Sequence, residues 1–241
     1  SKYLDAFGFF QKVDTPYVDQ SLGVKNIGLP TDYLSTGFGQ ASSITVLQLC
    51  QAYTAIFNDG TMVRPYVIDS IVDSDTGKVE KKYKKKAVGT PISSTTAKEV
   101  QELMSHVTDD GVSGARFKVD GVDLLMKTGT GQIYNTDLGK YDSDYHTSSI
   151  MAAAPANDPK IMVYYGLVSP NITSYSAEPF KKIVRDTLQT CGISTTPTND
   201  TQESYEAWES YEMPSLVNHT IDYAHEKMKD KKVHLEVIGD G

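Results

Sequence analysis

Four consecutive residues, Lys127-Thr128-Gly129-Thr130, put an ammonium, two hydroxyls and a residue without a side chain on one short stretch. The surrounding run VDLLMKTGTGQIY (122–134) reads as a β-strand. A glycine within a strand lets another backbone or a ligand approach closely. The N–H that follows it, on Thr130, can aim at a developing oxyanion. The lysine and the hydroxyls can hold a carboxylate. If such a strand forms the edge of a sheet beside a cleft, both of its faces border the ligand. By themselves these letters also fit an ordinary strand end.

The sequence carries no signature of the other common chemistries. There is no GxSxG, P-loop, HExxH, GxGxxG or EF-hand loop. His146, His219, His225 and His234 form no metal-ligand spacing, and His106 has no ligand partner one helical turn on, so it reads as structural. Cys50 and Cys191 are the only cysteines, far apart and outside any CxxC, which excludes a zinc ribbon, a thioredoxin motif and a disulfide scaffold. The 241 residues carry 31 acids against 23 bases, a net charge of −8, which argues against nucleic acid as a partner. No apolar run is long enough for a membrane-spanning helix.

Several elements are expected to position the strand. Tyr3 to Phe10 reads as a short helix end stopped at Gly8, and residues 11–36, rich in Pro, Gly and Asp, as an irregular excursion. ITVLQLCQAYTAIFNDG then predicts a helix, with Ser42-Ser43 supplying the cap and Asn58-Asp59-Gly60 the stop. Its apolar Ile44, Leu47, Ala52, Ala55 and Ile56 should face inward, with Gln48, Gln51 and Thr54 between them. Residues 61–72 predict one or two strands, and the lysine-rich 78–86 a solvated hairpin or loop. A second helix begins at Thr95, with Val100, Leu103, Met104 and Val107 at core spacing. Residues 148–170 predict a buried hairpin turning at 155–159, and Ser176 opens a third helix that stops at Gly192. Strands 122–134, 148–155 and 160–168 should pair in sequence order. The fold class is α+β, an antiparallel sheet with packed helices.

Composition breaks near the end of the chain. Residues 199–241 hold ten acids and four lysines, so most of the net charge lies there. The expected division is a globular part at 1–191, a linker at 192–212 with the lone Trp208, and a small unit at 213–241.

YLDAFGFF (3–10), GFGQASSITVLQLCQAYTAIFNDGTMVRPYVI (37–68), LMKTGTGQI (125–133) and APANDPKIMVYYGLV (154–168) resemble, in order and spacing, the C-terminal part of a class B penicillin-binding protein transpeptidase domain. Met213-Pro214, Leu216-Val217, a helix with Ile221, Ala224 and Met228 on one face, and the strand Val233–Val237 resemble the start of a PASTA module. In such a family K-T-G accompanies S-x-x-K and S-x-N. No lysine here has a serine three residues before it. The one S-x-N, Ser169-Pro170-Asn171, follows K-T-G-T instead of preceding it. The chain begins at Ser1 with no Met and no signal peptide, so a start made by cleavage or truncation is expected. The nucleophile is then expected upstream, and the chain alone is expected to be inactive.

The resemblance implies a serine-type peptidoglycan D,D-transpeptidase that β-lactams acylate. Its implied partners are stem peptides ending in D-Ala-D-Ala, β-lactam antibiotics and the N-terminal remainder of the same enzyme; no cofactor or metal is implied. The implied place is the extracytoplasmic face of the cell membrane. Lys127 and Thr130 take the catalytic roles, and Thr128, Gly129, Thr130 and Gln132 bind substrate. Gly131 stands where many relatives have alanine. Tyr134, Tyr141 and Tyr145 either pack half-buried or line the rim. A serine β-lactamase and a non-catalytic cell-wall sensor are the alternatives.

Overall fold

The computed structural model describes residues 2–135, 139–169, 176–193 and 220–229. The chain divides into two compact units, Ser1–Thr198 and Asn199–Gly241. Within the second, α-helix Ile221–Met228 is capped by the Thr220 hydroxyl and buries Met228. Most of the expected 192–212 linker, Trp208, and the strand at 233–237 lie outside the described residues, as does Asn171.

The first unit opens with α1 (Lys2–Ala6), after which Gly8 turns left-handed at φ 73°. Within the stretch expected to be irregular, a helix forms, α2 (Pro30–Gly37). Pro30 suits the first helical turn, and the Asp32 carboxylate accepts from the Leu29 N–H at 2.8 Å. The density of Pro and Gly around it hid this start signal.

Helix α3 (Val46–Phe57) is capped by Thr45, not by Ser42 or Ser43: its hydroxyl accepts from the Gln48 N–H, and Gln48 reaches back to the Thr45 N–H. The helix ends at Asn58, where Asp59 and Gly60 both take positive φ. Ala52 and Ala55 are buried as expected, but the rest of its buried face differs. Gln48 and Gln51 are buried, whereas Ile44 is exposed. Gln48 Nε2 donates to the carbonyls of Gln11 (2.7 Å) and Leu22 (3.1 Å). An irregular excursion leaves backbone carbonyls without ladder partners, and a buried amide supplies the donors they need.

Strands β1 (Met62–Val63), β2 (Ser70–Val72), β3 (Val79–Lys82) and β4 (Ala87–Gly89) make two small antiparallel pairs, β1 with β4 and β2 with β3. All four residues of β3 are exposed, as expected for the lysine-rich stretch. Helix α4 (Ser94–Ser105) is capped by Ser93 and buries Met104, but Leu103 is 71% exposed and takes no part in the core. His106 ends this helix beside the carboxylates of Asp109 and Glu102, which raise its pKa.

The main sheet follows: β5 (Leu125–Asn135), β6 (Lys140–Ala154) and β7 (Ile161–Ser169), antiparallel, in the order β5-β6-β7. Sequential pairing is as expected, but β6 starts eight residues earlier than the apolar run alone indicates. Helix α5 (Glu178–Thr190) begins with proline in its first turn and is followed by left-handed Gly192. One face of the sheet packs on α5 and on a 3-10 turn at Ala115–Phe117. Met126, Ile150, Ala152, Ala154, Ile161 and Val163 meet Phe117, Phe180, Val184 and Leu188 there. Phe117 and Phe180 stack edge to face at 5.8 Å. On the other face Leu125 and Ala153 meet Met104, with Tyr53, Ile56, Phe57 and Val100 around them. Burying one such large apolar side chain stabilises the fold by about 1.5–3 kcal/mol. The sheet is therefore clamped between two helical layers.

Candidate active site

Strand β5 carries the Lys-Thr-Gly-Thr stretch out of the core. Leu125 and Met126 are both buried, one on each face of the sheet. Beyond them Lys127, Gly129, Thr130 and Gln132 are exposed, while Thr128 and Gly131 are half-buried. β5 is an edge strand, with β6 on one side and no strand on the other among the described residues. Alternation sorts the side chains. Thr128, Thr130 and Gln132 follow Met126 onto the face of α5, and Lys127, Gly129 and Gly131 follow Leu125 onto the face of α4. All the residues expected in the site thus lie on one solvent-facing edge, as single-strand neighbours.

The Lys127 ammonium donates to the carbonyl of Thr128, and among the described residues no carboxylate pairs with it. A cation held by a neutral carbonyl keeps its charge available to an anionic ligand. Gly129 lies opposite Ser149 on β6. A Cβ added at Gly129 would stand 2.7 Å from Ser149 Oγ, closer than such atoms come. The glycine thus leaves Ser149 Oγ clear inside the sheet as well as leaving room for a ligand outside it.

Gln40 belongs to this place too, which the sequence alone did not indicate. Gly39 and Ala41 on either side of it take φ of 88° and 67°. The Gln40 N–H donates to the Ser35 carbonyl at 2.9 Å, and its own carbonyl accepts from Ser42 at 2.8 Å. So held, its amide approaches β5: a Cβ added at Gly131 would lie 3.7 Å from Gln40 Nε2. The GFGQ block and the Lys-Thr-Gly-Thr strand are therefore neighbours in space. The local pattern of neither segment names Gln40 as the residue that makes this approach.

The same distance makes a prediction. At 3.7 Å a methyl group at Gly131 is in ordinary contact, and the backbone there is not left-handed. Gly131→Ala is expected to stabilise the protein by about 0.4–1 kcal/mol, through a less disordered unfolded chain. Urea or thermal unfolding measures this; a loss of stability would mean that the Gln40 amide needs the space.

Past Gln132 the register with β6 shifts, a bulge that bends the strand before Tyr134. Tyr134 packs edge to face on Tyr141 at 5.5 Å, and Tyr134, Tyr141 and Tyr145 all remain exposed. Nearby, Asp142 accepts from the N–H groups of Asp144 (2.8 Å) and Tyr145 (3.0 Å), which hold its carboxyl below the usual carboxylate range. A depression of about 480 Å³ lined by Tyr3, Thr90, Pro91, Ile92, Ser93 and Thr96 includes no residue of β5, so it is no part of this site. No group of three metal-ligating side chains occurs among the described residues.

Residues 1–189 match the family described as Penicillin binding protein transpeptidase domain. Stage V sporulation protein D of Bacillus subtilis is 30% identical, over 100% of this chain and 38% of its own length. Probable peptidoglycan D,D-transpeptidase PenA of Neisseria gonorrhoeae is 31% identical, over 69% of this chain and 27% of its own length. Crystal structures of penicillin binding protein 3 from Mycobacterium tuberculosis, complexed with ampicillin and with aztreonam, superpose with a TM-score of 0.69 each. They are 24% and 25% identical and align with 82% and 81% of this chain, and with 47% and 46% of theirs. The chain thus spans well under half the length of these curated relatives.

Proposed function

Because the chain belongs to the penicillin binding protein transpeptidase family, we propose that it supplies one wall of a peptidoglycan D,D-transpeptidase active site whose attacking serine lies outside these 241 residues. One observation carries this reading. The Lys-Thr-Gly-Thr stretch sits on the open edge of β5, with its ammonium unpaired by any carboxylate among the described residues and its hydroxyl-bearing Thr130 exposed. An extended peptide laid along such an edge meets both faces of the strand at once. Lys127 reaches it from one face, and Thr128, Thr130 and Gln132 from the other.

The reaction proceeds in two steps. The serine oxygen attacks the carbonyl carbon of the penultimate D-Ala, and its proton passes to a base. The C–N bond breaks, the terminal D-Ala leaves with its amine reprotonated, and a serine ester remains. The amine of a second stem peptide attacks that ester, restoring the serine and completing the cross-link. A β-lactam forms the same ester, but its leaving amine stays tethered.

Each residue has a role in this sequence. The Thr128 and Thr130 hydroxyls donate to the substrate carboxylate. The Thr130 N–H faces the developing oxyanion, where losing one donor costs about 3 kcal/mol. Lys127 sustains a positive field and supports proton movement around the serine. Gln132 holds the substrate backbone. The small unit at 199–241 is read as the start of a PASTA module, and the enzyme as standing at the extracytoplasmic face of the cell membrane.

A fluorescent penicillin tests the proposal on the complete protein. A persistent covalent adduct is expected, formed about tenfold more slowly by Thr130→Val, which removes the hydroxyl but keeps the backbone donor. No adduct on the parent protein would reject the transpeptidase reading. Rapid turnover of the penicillin would favour a β-lactamase instead. An unchanged rate in Thr130→Val would remove the carboxylate-holding role alone.

A further inference from the structure

Directly across the sheet from Thr130, on the same face, stands Ser148 of β6. It is 1% exposed, and its hydroxyl has no hydrogen-bond partner. Next to it on that face are the apolar Ile150 and Ala152, both in the core. An alanine at 148 would continue this row without leaving a polar atom unpaired, a condition native folds rarely tolerate. One step further out, His146 Nδ1 is also buried and unpartnered, and it lies opposite Gln132. Four side-chain atoms share this condition among the described residues, the others being Arg64 Nε and Tyr83 Oη. Two of the four thus lie on β6 directly opposite residues proposed for the site, Thr130 and Gln132.

Directly opposed residues of antiparallel strands hold their Cβ atoms ~4.5–5.5 Å apart, and Thr–Ser pairs hydrogen-bond across that gap. We propose that Ser148 is a positioning residue for Thr130: its O–H donates to Thr130 Oγ when Thr130 directs its own hydroxyl hydrogen at a substrate carboxylate. The proposal rests on the carboxylate-holding role given to Thr130 above. Thr130 then accepts one hydrogen bond and donates another. Ser148 fixes the rotamer from which it donates, and the two bonds polarise each other in the same direction. No bond is broken and no proton is transferred. Ser148 does not touch substrate; it lowers the freedom of the residue that does.

Benzylpenicillin acylation of the complete protein tests this through a double-mutant cycle. Ser148→Ala is expected to lower the second-order acylation rate about three- to tenfold. The loss should appear in the concentration of penicillin needed for half-maximal rate, with the limiting rate kept. In a Thr130→Val background, Ser148→Ala should slow acylation no further. The thermal midpoint of Ser148→Ala should equal or exceed that of the parent, because an unpaired hydroxyl has been removed. Ser148→Thr, which keeps a hydroxyl, should recover most of the rate. Equal slowing in both backgrounds, a lowered midpoint, or no slowing at all would overturn the proposal. A parent protein that benzylpenicillin does not acylate is a separate result: it defeats the transpeptidase reading, and Ser148's role with it.

Discussion

Lys127→Ala in the complete protein is expected to slow acylation by a fluorescent penicillin by about 10²–10³-fold, the scale seen when one preorganised charge-stabilising group is lost. Its thermal unfolding should stay within about 0.5 kcal/mol of the parent, as for surface substitutions generally. Both halves follow from the same geometry. The side chain is exposed and bonds only to the Thr128 carbonyl among the described residues, so removing it opens no cavity and strands no partner in the core. Its ammonium is also the only cation of the Leu125–Asn135 strand, so nothing along that edge replaces it. Lys127→Arg separates charge from shape. A guanidinium keeps the charge but is planar and cannot shuttle protons. Partial recovery by arginine would assign the field; none would assign the proton. Full labelling by the alanine variant would remove Lys127 from the site.

Gly129→Val is expected to abolish labelling and to destabilise the fold by about 1–3 kcal/mol, the usual cost of overpacking. The obstacle is named: Ser149 Oγ stands 2.7 Å from where the new Cβ must go. That atom ends a short side chain on the central strand, half-buried between neighbours that are themselves packed. Adding Ser149→Ala to Gly129→Val removes the clashing oxygen. Stability should return in this double variant while labelling does not, because the valine methyls still cover the edge where a ligand's backbone would lie. Recovery of both together would mean that the glycine serves only the sheet.

The placement of the candidate site was legible in the sequence where it is contiguous. Lys127 to Gln132 fall on one strand, and the apolar letters before them fix which residue faces which way. Strand order, the hairpin at 155–159 and the proline start of α5 were legible for the same reason: each is encoded within a few residues. What escaped is held by contacts between distant segments. Gln40 meets β5 only because two left-handed residues turn it there. Ser148 reads as one more small residue in a buried run until the register sets it opposite Thr130. Gln48 and Gln51 were misread because helical periodicity treats an amide as solvent-facing. For Gln48 a neighbouring loop, lacking ladder partners of its own, takes the amide's donors inside. Leu103 errs the other way, an apolar letter at core spacing that meets no neighbouring layer.

Leu125 and Met126 dock in two different apolar layers, and this fixes the reading frame of everything after them. Sliding the strand by one residue against β6 would exchange the two faces. The ammonium would then be driven toward the Phe117–Phe180 contact, and the threonine hydroxyls toward the opposite helices. A single inserted or deleted residue just ahead of Lys127 would therefore turn the site inside out without changing any of its letters.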